Sequence, residues 1–169
     1  MSVSYDKKFE KAVNYVLSNE GGYVYDKNDP GGETKYGISH RSYPTLNIKN
    51  LTLEDAKKIY YCDYWLKSKC NQIKDDFVAT QVFDLSVNLG IRAATIVLQR
   101  ALRAGGINVS EDGLIGPVTL SGVSILKPPI LLAAIKAEAA GYYRTLAAQK
   151  PALQRYLNGW LNRAYRKII

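Results

Sequence analysis

Phe9, Ala12, Val13, Val16 and Leu17 recur at the spacing of one helix face and the pattern stops at Gly21 and Gly22, which predicts a first helix carrying Glu20 at its C-terminal end. From Tyr23 to Ser39 the period changes. Tyr23-Val24-Tyr25, a stretch rich in Asp, Asn, Pro and Gly from Asp26 to Gly32, and then Thr34 to Ile38 read as a small β-hairpin or meander around a long loop. Thr52 stands as an N-cap hydroxyl before Glu54 and Asp55, and the helix it opens is expected to continue through Tyr60 to about Trp65. Val78, Val82, Leu85 and Leu89 predict a helix stopped by Gly90; Ile91, Ala94, Leu98 and Leu102 predict another that ends at Gly105 and Gly106. Ile130 to Ala140 is almost wholly apolar and belongs in the middle of a core, and Pro151 is expected to open the last helix. Seven or so helices and one short sheet make a mainly α chain.

At 169 residues, with 47% hydrophobic and 22% charged side chains, this is one ordinary globular domain. The longest apolar run, Pro128 to Ile135, is too short to cross a bilayer, so no stable membrane insertion is expected. The net charge of +8 is concentrated late, with nine basic and three acidic side chains between 101 and 169, and biases the surface toward polyanions. No helix face is basic enough to favour nucleic acid as the partner. Cys62 and Cys70 are expected to be free thiols serving mostly in packing. The single histidine, His40, has no ligand-type partner at close spacing, so neither a metal nor a cofactor is expected.

The chemistry concentrates in one stretch: Glu20, Asp26, Asp29 and Glu33 place four carboxylates in fourteen residues. A glycosidase needs one carboxyl to protonate the leaving oxygen and a second carboxylate to activate water or attack the sugar. The negative end of the first helix suits Glu20 to the donor role. The plainer alternative is that Gly21 and Gly22 only cap the helix, Glu20 is solvated, and the aspartates are ordinary turn residues.

Glu20-Gly21-Gly22-Tyr23, Asn28-Asp29-Pro30-Gly31-Gly32 and Thr34-Lys35-Tyr36-Gly37-Ile38 together resemble glycoside hydrolase family 108, muramidases that include phage endolysins and proteins once described as secretion activators. The resemblance continues through Asp63-Tyr64-Trp65 and Val87-Asn88-Leu89-Gly90, and Asp112 to Pro117 is similar to a C-terminal region described as peptidoglycan-binding. It implies a single lysozyme-like α+β domain over 1–169. Roughly 1–70 would carry the catalytic helix and a small β-hairpin lobe, roughly 71–169 a helical lobe, with a glycan cleft between them.

By that resemblance Glu20 is the catalytic acid, cleaving the β-1,4 bond between N-acetylmuramic acid and N-acetylglucosamine. The wider pattern of phage-type lysozymes places eight residues between the acid and an aspartate, as between Glu20 and Asp29, then five before a threonine; here only four separate Asp29 from Thr34. The missing residue leaves Asp26 as an alternative second carboxylate; Asp29, which keeps the eight-residue spacing, is ranked above it, with Thr34 holding the water, and inversion is the expected outcome. Asp26, Tyr36, Trp65 and Asn88 are candidates for substrate binding: aromatic faces stack on sugars, and an amide can bond an acetamido group. Peptidoglycan glycan strands are the expected partner of a monomer. The N-terminal residues lack the apolar run of a secretory signal, so the chain is expected to be made in the cytoplasm and to act in the periplasm or wall after release through a holin or a dedicated export route. The competing function is a non-catalytic wall-binding module.

Overall fold

The computed structural model describes residues 4–20, 22–25 and 32–168. The side chain of Asp6 accepts the backbone N–H of Phe9 and starts α1 (Lys7–Asn19), which buries Phe9, Ala12, Val13 and Val16 on its apolar stripe. Glu20 caps α1 with an extended backbone, as the glycines after it led one to expect. Three short strands, β1 (Val24–Tyr25), β2 (Glu33–Lys35) and β3 (Ile38–Ser39), form an antiparallel sheet in that order. Thr34 is its middle residue, opposite Val24 on one side and Ser39 on the other. Tyr36 and Gly37 both have positive φ, the conformation of a tight two-residue hairpin turn, and they join β2 to β3.

Thr52 and Asp55 form a reciprocal capping box at the start of α2 (Leu53–Ile59). The expected helix does run on to Trp65, but its last six residues, Tyr60–Trp65, are wound as a π-helix. That wider turn directs Tyr60 and Trp65 inward. α3 (Asp76–Leu89) is buried on nearly every side from Val78 to Ser86, and α1, α4 and α6 pack around it. Gly90, at φ 84° and ψ 152°, turns the chain into α4 (Ile91–Ala104) in a conformation essentially reserved to glycine.

Prolines open both α5 (Pro117–Ile125) and α6 (Pro128–Gln149). α6 buries Leu131, Ile135, Ala139 and Ala140 among α3, α4 and α7, the central place expected for this apolar stretch. Pro151 differs from expectation: it begins a 3₁₀ stretch (Pro151–Tyr156), and the last helix, α7 (Leu157–Tyr165), starts six residues later. Cys70 is buried and Cys62 exposed, both as free thiols. Among the described residues no single helix is long and apolar enough to cross a membrane. The helices and the small sheet give the α+β, lysozyme-like architecture that the resemblance implied.

Candidate active site

Glu20 sits where three separate parts of the chain meet the end of α1. From the sheet comes Gly37: a Cβ built there would lie 2.9 Å from Cγ and Cδ of Glu20 and 2.4 Å from the Tyr60 hydroxyl. Only a residue without a side chain lets the hairpin come this close. From the π-helix comes Tyr60, wholly buried, whose hydroxyl donates to the Tyr36 carbonyl at 2.7 Å and so ties the sheet to the helices. Burial, and then the neighbouring Glu20 carboxylate, hold the Tyr60 phenol well above its ordinary pKa, so it stays a neutral donor.

From α7 comes Arg163. Its Nη1 donates to Oε1 of Glu20 at 3.1 Å, while Nε and Nη2 donate to Oδ2 and Oδ1 of Asp84 at 3.1 and 2.9 Å. Asp84 lies on α3 with its side chain only 1% exposed, and its Oδ1 also accepts from the Asn19 amide at 3.2 Å. Burial works against the charge on Arg163, but the carboxylates of Asp84 and Glu20 outweigh it and raise the guanidinium above its ordinary pKa. Oε1 of Glu20 is thus held, whereas among the described residues Oε2 accepts no hydrogen bond.

Beside Arg163 opens a cleft of about 420 Å³ lined by Asn19, Asn88, Trp160, Asn162 and Arg166 among others. Asn88 donates its amide to the Tyr143 hydroxyl, whose pKa burial pushes up to about 12, and its carbonyl oxygen accepts no bond from described residues. Trp160 stacks on Tyr143 with ring centres 5.4 Å apart. A second depression runs between the hairpin side (Ser42, Tyr43) and the helices (Asp63, Tyr64, Lys67, Ile91). There Lys67 and the Tyr43 hydroxyl both donate to Asp63, at 2.7 and 3.1 Å, and hold its carboxyl below the usual range. The Tyr64 ring lies 5.9 Å from that of Tyr60, so this depression adjoins the Glu20 site.

The residues singled out from the sequence are therefore distributed unequally. Glu20 is at the centre; Thr34 and Tyr36 are half-buried on the strand and turn that deliver Gly37 to it; Asn88 lines the Arg163 cleft. Asp26 and Asp29 lie outside the described residues. Trp65 differs from the expectation of sugar stacking: it is 0% exposed, edge-on to Phe9 and Phe83 at 5.6 and 5.4 Å, with no face open to a ligand. The π-helical winding is what turns it inward. His40 is exposed in the turn that follows β3.

Sequence reasoning missed Arg163, Asp84, Tyr60 and Gly37 as parts of this site. Asp84 left a readable signal, since a lone carboxylate inside an apolar helix demands a cationic partner. Arg163 left none, being one of many basic residues in the last third and 143 positions from Glu20.

Residues 13–90 match the family model described as glycosyl hydrolase 108, and residues 93–165 match one described as a predicted peptidoglycan domain. A solved structure of SagA from Brucella abortus is similar to this chain with a TM-score of 0.72 and 26% sequence identity, covering 92% of each chain. No curated protein matches the sequence.

Proposed function

We propose that this chain, which matches the glycosyl hydrolase 108 model over residues 13–90 and a predicted peptidoglycan domain over 93–165, is a muramidase. It cleaves the β-1,4 bond between N-acetylmuramic acid and N-acetylglucosamine, with Glu20 as the general acid. The observation that carries this reading is the Glu20 carboxyl itself. It stands at a helix end beside the hairpin, about one-fifth exposed, with one oxygen held by Arg163 and the other without a partner among the described residues. A group that donates a proton to a glycosidic oxygen needs such a fixed yet reachable oxygen.

In this reading Glu20 protonates the bridging oxygen, and a second carboxylate from the segment between β1 and β2, Asp29 ahead of Asp26, activates the water or steadies the oxocarbenium-like centre. Thr34, in the middle strand, holds that water. The basic last third draws the enzyme to anionic wall polymers. The protein works as a monomer in the periplasm or wall, reached through a holin or a dedicated export route.

The test is digestion of purified peptidoglycan by the wild type and by folded Glu20→Gln, followed by borohydride reduction and mass analysis of the new sugar ends. Muramitol ends released by the wild type and absent with Glu20→Gln support the reading. Equal release by both sinks Glu20 as the acid. Retention of both on the wall with no new ends from either replaces the enzyme with a wall-binding module, the alternative that the match over residues 93–165 favours.

A further inference from the structure

We infer that Arg163 is the positioning residue of the reacting carboxyl, pinning Oε1 of Glu20 so that Oε2 is the atom from which the proton leaves. This rests on the reading of Glu20 as the acid. The geometry is a chain of fixed contacts running from the core to the surface. Asp84 is immobilised on α3, buried on nearly every side, and its two oxygens take Nε and Nη2 of Arg163. The guanidinium is planar, so those two bonds fix the direction of the third donor, Nη1, which meets Glu20 at 3.1 Å. Gly37, on the hairpin that the Tyr60 hydroxyl ties down, approaches the Glu20 side chain so closely that a Cβ there would lie 2.9 Å from its Cγ and Cδ. The carboxyl is therefore held through Oε1, with Oε2 left without a hydrogen bond among the described residues.

Asp84, 1% exposed, has no access to a substrate. Its part is to hold Arg163, and it too is a positioning residue. When the proton passes from Oε2 to the bridging oxygen, the bond from that oxygen to the anomeric carbon breaks and its electron pair stays with the oxygen. Glu20 is left as a carboxylate facing the guanidinium, so the cation stabilises charge as it develops.

The arrangement also joins the two matched regions into one working unit. Arg163 belongs to the region over 93–165, while Glu20 lies within 13–90. The peptidoglycan-directed region thus contributes a group to the reacting centre, which is incomplete without α7.

The experiment measures kcat and KM on soluble peptidoglycan fragments, with retention on insoluble wall, for the full chain carrying Arg163→Lys, Arg163→Gln, or Arg163→Gln combined with Asp84→Asn. The double variant removes both buried charges and so avoids leaving Asp84 unpaired, the main threat to folding. Misplacement of a reacting group by roughly 1 Å costs about 10²-fold. The folded Gln variant and the double variant are expected to lose about 10²-fold in kcat, with KM and wall retention within about twofold, by that same displacement. Arg163→Lys, which keeps charge but not the planar fork, is expected to recover only part of the loss. A folded Gln or double variant with kcat near wild type, alongside an inactive Glu20→Gln, overturns the inference and leaves the Glu20 reading standing. A wild type that releases no muramitol ends removes both.

Discussion

Gly37→Ala probes the close approach between the hairpin and Glu20, the proposed acid. The added Cβ would stand 2.4 Å from the Tyr60 hydroxyl and 2.9 Å from two carbons of Glu20, against ordinary contacts of about 3.5–4 Å. Tyr60 cannot withdraw, because it is wholly buried and its ring packs edge-on to Phe83. Three costs combine. Placing alanine at φ +78° costs about 1–2 kcal/mol. Forcing a methyl into a filled site costs about 1–3 kcal/mol. Loss of the bond from Tyr60 to the Tyr36 carbonyl adds about 1 kcal/mol.

These sum to roughly 3–6 kcal/mol, reduced if the hairpin lifts, and at about 2–4 °C per kcal/mol the melting temperature falls by roughly 6–24 °C. Gly106→Ala is the control: its φ is +86°, but nothing lies within 4 Å of its Cβ, so it pays only the backbone term. Its melting temperature should fall by roughly 2–8 °C, with muramitol release unchanged. Gly37→Ala should lose about 10²-fold in release whichever neighbour yields, because either the hairpin or Glu20 is displaced. Thermal unfolding by circular dichroism and end-group analysis together decide the matter. Equal melting shifts for the two variants, with Gly37→Ala still active, would refute the close approach.

Trp65→Phe should lower stability by about 1–2 kcal/mol, since it opens space in the core but also removes an indole N–H that has no hydrogen-bond partner among the described residues. Its retention on peptidoglycan should match wild type; a loss of affinity in folded protein would restore Trp65 to the binding surface. Asp112 is held below its ordinary value of 3.8 by the Gln99 amide and then by the Leu114 N–H. A depressed folded pKa stabilises above the unfolded value and is lost as pH falls through the folded one. Asp112→Asn should therefore be less stable than wild type at pH 7, with the gap closing below about pH 3.8 in denaturant titrations. Burial pushes the Cys70 thiol up to about 12, while Cys62 is exposed. A thiol reagent at neutral pH should label one cysteine of the native protein, identified as Cys62 by mass analysis, and the second only on unfolding.

What is local in this protein was legible in the sequence. The apolar stripe from Phe9 to Leu17 set α1 and with it the position of Glu20; Thr52 and Asp55 set the start of α2; Gly90 and Gly105 marked where α3 and α4 end. Helix periods, caps and turns are decided by neighbours a few residues away, so a reader of the chain sees them directly. The candidate acid was legible for the same reason, being one motif at one helix end.

The rest depended on which surfaces meet. Tyr60–Trp65 continues a helix, as expected, but winding it as a π-helix takes Trp65 inside and brings Tyr60 under the hairpin, a choice made by packing against Phe9 and Phe83. Pro151 is compatible with the first turn of either helix type, and only the seating of α7 shows which one it opens. Arg163 reaches Glu20 across 143 residues while its other nitrogens pair with Asp84, buried on the central helix. Charge pairing at that separation carries no period and no local motif. It exists only once α1, α3 and α7 have been brought together by the apolar faces they share with the core.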